Sequence, residues 1–233
     1  MNLKILNELD RILKHNPALK TNKHAFCQVI NGIFDINLKD IDYSSDRHGS
    51  MSDLGEQIDR ACLRRYFSEI WQPQTKKFKY SGLAIIDEVN NLNPDNVIDV
   101  GCGYNEFKGK IKNLIGIDPY NDKADIMTHI LDYKPNIEYD VAICLGSINF
   151  GSSDKILSEL QAVVNMMKDN GLLYFRVNPG IQHTPAESRW INFYDWDPVF
   201  ISNAANYLNC EVLVLRQDDN DRLYFVLRKN KST

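Results

Sequence analysis

The chain has 233 residues, 43% of them hydrophobic and 25% charged, with a formal net charge of −4. That length carries one well-buried domain with an extension, or at most two small domains, and the composition is ordinary for a soluble globular protein. No run approaches the ~18 apolar residues of a membrane span, and the acid-bearing, amphipathic N-terminus is unlike a secretion signal. The five scattered cysteines form no C-x-x-C pair, which argues against a zinc site or a disulfide framework and fits a reducing cytoplasm.

Leu3, Ile5, Leu6, Leu9, Ile12 and Leu13 lie at helical spacing, and His15-Asn16-Pro17 ends that helix. A short second helix is expected over 23–30, stopped at Asn31-Gly32. An irregular stretch rich in Asp, Ser and Gly follows to Ser52. Ser52 is the expected N-cap of a third helix, with Asp53 and Glu56 in its first turn and an apolar face running to Trp71. Residues 72–80 have loop composition, and a helix over 83–92 ends at Asn93-Pro94.

Val97, Ile98 and Val100 form a β-branched run suited to a strand buried on both faces, and they lead directly into Gly101-Cys102-Gly103. Glycine there takes φ > 0 cheaply and lets backbone approach a ligand. Only 105–112 remains for a helix before the next strand, 114–117, and Gly109 interrupts it, so a clipped or irregular helix is expected. The second strand ends in Asp118. An acid at the tip of the second strand of a βαβ unit suits the hydroxyls of a ribose, implying a nucleoside-containing cofactor. Glu106 breaks the G-x-G-x-x-G dinucleotide fingerprint, and an acid there would oppose a pyrophosphate.

Farther on, 140–145 reads as a buried strand, and Ser152-Ser153-Asp154 caps a helix carrying Ile156, Leu160, Val163 and Val164 on one face. Asp169-Asn170-Gly171 turns into a strand over 172–177, followed by a long loop from Asn178 to Asp195. Asp197-Pro198 starts a last helix by the N-cap and N1 rule. Strands 211–216 and 222–228 close the chain as a hairpin around Asp218-Asp-Asn-Asp221. One weak strand, near Ile126 or Ile137, is left open.

The order Asp99-Val-Gly101-Cys-Gly103, then Gly116-Ile-Asp118, resembles the class I S-adenosylmethionine-dependent methyltransferases. The resemblance covers about residues 83–229 and nothing comparable covers 1–80. It implies an α/β fold, a doubly wound seven-stranded Rossmann-like sheet with an antiparallel last strand. Residues 81–233 would form the cofactor-binding domain and 1–80 a helical N-terminal cap. It also implies S-adenosyl-L-methionine as cofactor, held by Asp99, Gly101, Cys102, Gly103 and Tyr104 at the first turn and by Asp118 and Pro119 at the second. Asp132 and Tyr133 would meet the adenine, and Leu145 and Gly146 would face the methyl donor. A plain turn acid before Lys134-Pro135 is the alternative for Asp132.

The acceptor is less determined, because methyl transfer is an in-line displacement that asks the protein mainly for positioning and exclusion of water. Ser147-Ile148-Asn149-Phe150 lacks the Asn/Asp-Pro-Pro-aromatic tetrapeptide of the nucleic-acid amino-methyltransferases of this fold, which disfavours base methylation. Asn149, Phe150 and Trp190 are the candidate acceptor-binding residues. His183, in the loop after the fifth strand, is the candidate general base, with a solvated loop histidine as the alternative; His48 and His129 are weaker candidates. Trp190, Phe193, Tyr194 and Trp196 either wall a planar substrate or pack around the last helix. No metal ligands are expected.

Residues 1–80 carry 13 Lys/Arg against 10 Asp/Glu, and residues 81–233 carry 14 against 21. The acidic second part argues against general nucleic-acid binding, while the basic first part permits an anionic acceptor. The expected protein is a cytoplasmic methyltransferase acting on a small molecule or a protein side chain. A non-catalytic binding protein of the same fold and an RNA methyltransferase are the alternatives; the oligomeric state is open.

Overall fold

The structure, a computed structural model, describes residues 1–71, 82–179, 186–218 and 221–231. They form two compact units: residues 1–71 with 186–192, and the remaining described residues.

The first unit is helical: α1 (Leu3–His15), α2 (Lys23–Phe34) and α3 (Ser50–Arg65). Ile5, Leu9, Phe26, Ile30, Leu54 and Ile58 are fully buried and make its core. α2 runs past Asn31-Gly32 to Phe34. Asn31 does not stop it, because its side chain reaches forward to the N–H and C=O of Leu38 (2.9 Å each); Asp35, left-handed at φ 54°, ends the helix instead. α3 begins at Ser50 rather than after Ser52. Gly49, at φ 85°, makes the entry, and the Ser50 hydroxyl accepts the Ser44 N–H at 2.7 Å. Residues 186–192 return to these helices. Arg189 donates to the Ile33 carbonyl (3.0 Å), and Asn2 donates to both Asp59 and the Trp190 carbonyl (2.7 Å each).

The second unit is a seven-stranded sheet made of β1 (Val97–Val100), β2 (Leu114–Asp118), β3 (Ile126–Met127), β4 (Tyr139–Leu145), β5 (Met167–Val177), β6 (Cys210–Gln217) and β7 (Leu223–Lys229). Their order is β3-β2-β1-β4-β5-β7-β6, with β7 antiparallel to both neighbours and the other pairs parallel. This is the Rossmann-like architecture expected from the sequence. The open strand lies at Ile126, not Ile137. β5 extends back to Met167 across an irregularity at Asn170, φ 62°, which falls in the expected turn.

Side chains alternate between the two faces, as pleating requires. Ile98, Ala142, Cys144, Leu173, Phe175 and Phe225 share one core with α5 (Ser153–Asn165) and α6 (Pro198–Tyr207). Val97, Val141, Ile143, Tyr174 and Tyr224 share the other with Ile85, Val89, Phe107 and Ile111. α4 (Ile86–Asn91) lies in this second layer, but no helix joins β1 to β2. Asn105 and Gly109, both at positive φ, turn 103–113 into a run of tight turns that still delivers Phe107 and Ile111 to the core. Burying each such side chain stabilises by roughly 1.5–3 kcal/mol, so the segment keeps the packing of a helix without being one.

Asp140 braces the opposite end of the sheet. Its carboxylate accepts the Asp95 and Asn96 amides (2.9 Å each) and the Lys168 ammonium (2.7 Å). Both α5 and α6 start as the sequence predicts. Ser152 caps α5, and one oxygen of Asp197 accepts the Val199 and Phe200 amides at 2.7 and 2.9 Å.

Candidate cofactor and acceptor site

In a sheet ordered 3-2-1-4-5, the chain crosses to opposite sides of β1 and β4, and ligands of such sheets bind outside the carboxyl ends of the strands at that point. β1 ends there in Gly101, at φ 69°, and Gly103, at φ 53°. The Gly101 and Cys102 amides donate to the Ile117 carbonyl (2.8 and 3.0 Å), which binds the turn to β2. A Cβ at Gly101 would overlap the Ser147 side chain, so only glycine lets the turns after β1 and β4 pass this closely. Gly103 and Gly146 (φ 90°) differ: a Cβ on either would meet nothing within 4 Å, so their backbone borders open space.

Asp118 is fixed by backbone donors. One oxygen accepts the Gly103 N–H at 3.0 Å; the other accepts the Tyr120 and Asn121 amides at 2.7 and 2.9 Å. Asp99 lies on the neighbouring strand and is 4% exposed. Burial, then the charge of Asp118, pushes its carboxyl up to about 8. Burial, then Asp99, Asp118 and Asp125, also raises the Cys102 thiol far above its ordinary range, which makes it a packing group rather than a nucleophile.

Sequence reading missed the support beneath this turn. Asn105 is buried and donates to the Lys123 carbonyl at 3.0 Å. Asp125 accepts the Gly116 amide and the Lys108 ammonium (2.8 Å each). Burial would raise its carboxyl, but these bonds and Asn105 outweigh burial and hold it below the usual carboxylate range. Gly116 has to be glycine because a Cβ there would lie 2.6 Å from Asn105 Oδ1 and 2.9 Å from Cys102 Sγ.

Tyr133 hydrogen-bonds the Tyr139 hydroxyl at 2.7 Å, while Asp132 is exposed in the turn before it. Beyond β4, the Gly146 amide donates to the Arg176 carbonyl at 2.9 Å. Asn149 is 1% exposed; its side chain accepts the Asn178 N–H (3.1 Å) and its carbonyl the Tyr194 N–H (2.7 Å). Phe150 meets Phe193 edge-on at 5.4 Å. Asn178 accepts from the Arg222 guanidinium, and Arg176 donates to Asp218 at 2.6 Å with both nearly buried. One polar network thus fastens the loops after β4, β5 and β6.

The four clustered aromatics separate. Tyr194 and Trp196 pack with Phe200 near α6. Trp190 belongs to the first unit, on Phe34 at 4.6 Å. The proposed base, His183, lies outside the described residues. Among the described residues, no three or more His, Cys, Asp or Glu are grouped to hold a metal ion, and no helix is long and apolar enough to cross a membrane.

No family model and no curated protein matches the sequence. Solved structures do match the fold. The N1-methyltransferase of 1,6-didemethyltoxoflavin from Burkholderia thailandensis, with that compound and S-adenosylhomocysteine bound, aligns over 74% of this chain and 89% of its own, with TM-score 0.56 and 12% identity. N-methyltransferase NodS from Bradyrhizobium japonicum with S-adenosylhomocysteine aligns over 74% and 98%, with TM-score 0.54 and 13% identity. A methyltransferase from Clostridium acetobutylicum aligns over 63% and 89%, with TM-score 0.50 and 13% identity. At these identities the likeness is one of fold, and the fold is that of the S-adenosylmethionine-dependent methyltransferases.

Proposed function

We propose that the chain binds S-adenosylmethionine at the tips of β1, β2 and β4 and transfers its methyl group to a small molecule or a protein side chain. The observation that carries the reading is the joining of the Gly103 amide to the Asp118 carboxylate at the topological switch point, where two glycine turns border open space. Bound there, the cofactor supplies an electrophilic sulfonium methyl. Asp118 has about four acceptor positions, and three are filled by amides that fix its orientation. The remaining one takes a ribose hydroxyl. Gly101, Cys102 and Gly103 offer close backbone to the methionine part, with Asp99 behind them, and Tyr104 and Pro119 flank it. Asp132 and Tyr133 take the adenine, and Leu145 and Gly146 wall the methyl donor.

Asn149 and Phe150 stand at the acceptor side of β4. A neutral nitrogen acceptor already carries the attacking lone pair and needs only position and dryness, so the site asks for no strong base. The naming of two fold neighbours as N-methyltransferases supports screening small nitrogen compounds first.

Calorimetric titration with S-adenosylhomocysteine, beside NADH, tests the cofactor. Binding of the first alone is expected; no binding of S-adenosylhomocysteine overturns the proposal. Binding without turnover on any acceptor would favour a protein that kept the cofactor site and not the chemistry.

A further inference from the structure

We infer that His129 is a positioning residue for the adenine end of the site, bracing the turn that carries Asp132 and Tyr133 and tying it to α5 through Glu159. This rests on the cofactor reading above.

β3 has only two residues, both exposed, and pairs only with the end of β2. It therefore does little to hold the turn that follows. Ile130 anchors the turn in the core, the Tyr133 hydroxyl meets that of Tyr139 at 2.7 Å, and His129 holds the backbone between them. Its carbonyl accepts the amides of Asp132 (2.9 Å) and Tyr133 (3.0 Å), and its Nδ1 accepts the amide of Leu131 (3.2 Å). Three successive N–H groups end on one residue. Accepting at Nδ1 leaves the ring proton of the neutral imidazole on Nε2, and Nε2 stands 3.4 Å from Glu159 Oε1.

Glu159 is out of place on pattern alone. It lies on the inward stripe of α5 with Ile156, Leu160 and Val163, and its side chain is 5% exposed. A buried carboxylate is costly unless a donor or cation meets it. The Lys155 ammonium stands at 3.8 Å, farther away than the histidine ring. The pairing gives the turn a fixed point on a rigid helix, which local hydrogen bonds alone would not.

Asparagine at 129 separates the two contributions. Its side-chain oxygen can accept the i+2 amide, as in an Asx-turn, while being too short to reach Glu159. The test measures affinity for S-adenosylhomocysteine against S-inosylhomocysteine, in which a carbonyl replaces the adenine amino group. Wild type should prefer the adenine compound. His129→Ala should lose about tenfold in affinity for it, the equivalent of one hydrogen bond, with the inosine compound changed far less, so that the preference collapses. His129→Asn should fall between wild type and His129→Ala, because it keeps the side-chain acceptor for the turn and loses the tie to Glu159. Glu159→Leu, which preserves the apolar stripe of α5, should lower the ratio even if His129→Ala does not fold.

A wild-type preference that survives in His129→Ala and Glu159→Leu overturns the inference. So does equal weakening of both ligands, or full wild-type preference in His129→Asn, which cannot reach Glu159. Absence of S-adenosylhomocysteine binding in the wild type would instead sink the cofactor reading itself.

Discussion

The amide of Gly103 donates to the carboxylate of Asp118 across 3.0 Å, so the tips of β1 and β2 are joined by a side chain where the ladder has ended. The glycine turn and the acid are therefore one device. The turn leaves an amide pointing sideways, and the acid uses it to hold its own orientation while two further amides fix its other oxygen.

Asp118→Ala should accordingly act twice. Calorimetry should show affinity for S-adenosylhomocysteine reduced by about a hundredfold or more, near 3 kcal/mol. Urea unfolding should show a loss of about 1–3 kcal/mol, because three amides lose their acceptor in a nearly dry place. A variant that binds as well as wild type would remove Asp118 from the cofactor site.

Two glycines in the same turn should behave differently. Both sit at positive φ, so alanine at either carries backbone strain of roughly 1 kcal/mol. At Gly101 the added methyl also overlaps Ser147, forcing the β1 and β4 turns apart, and the total loss should exceed about 2 kcal/mol. At Gly103 the methyl enters open space, so stability should change little beyond the strain while cofactor affinity falls. Equal effects of the two variants on both measurements would contradict this division.

Much of the sheet was legible because its strands are apolar runs with abrupt ends: 97–100, 114–117 and 140–145 all lie within a residue or two of the observed bounds. β3 was not, because Ile126 and Met127 are exposed and form a strand only by pairing with Ile117 and Asp118. The start of α3 was misplaced because Ser52 looks like a cap, while the chain enters the helix at Gly49, using φ 85° rather than a side chain. The Asp-Val-Gly-Cys-Gly turn could be picked out by its residue types. Its support could not, since Asn105 reaches partners 18 and 20 positions away and nothing local marks it. Residues 186–192 are another such case: Trp190 reads as part of an aromatic run, but its neighbour in space is Phe34.

The Arg176–Asp218 pair gives a third prediction. Its two groups meet at 2.6 Å and are almost wholly shielded from water. Asp218→Ala should cost about 3–5 kcal/mol, since it leaves a guanidinium charge in a dry site, and it also takes the acceptor from the Arg222 amide. Adding Arg176→Met should recover part of that loss. A single variant within ~1 kcal/mol of wild type in urea unfolding would show the pair to be solvated in solution, as exposed pairs are.

Asp99 makes the stability of the second unit depend on pH. Its carboxyl is raised from 3.8 to about 8 by burial and then by the charge of Asp118. Below the unfolded value both states hold the proton, and the favourable contribution of the buried neutral acid is complete. As pH rises the unfolded chain gives the proton up first, so that contribution is lost progressively until the folded group also ionises near 8, and the dependence then levels off. Asp99→Asn carries no such proton and should lack this slope. The stability difference between variant and wild type should therefore grow in favour of the variant by up to about 1.4 kcal/mol per pH unit, to a total on the order of 5 kcal/mol. Urea unfolding of both proteins at about pH 5, 7 and 9 measures it, and titrating groups that do not interact with Asp99 cancel in the subtraction. A difference that stays constant over that range would mean that Asp99 is already ionised in the folded protein, and that its neighbours solvate it better than its burial implies.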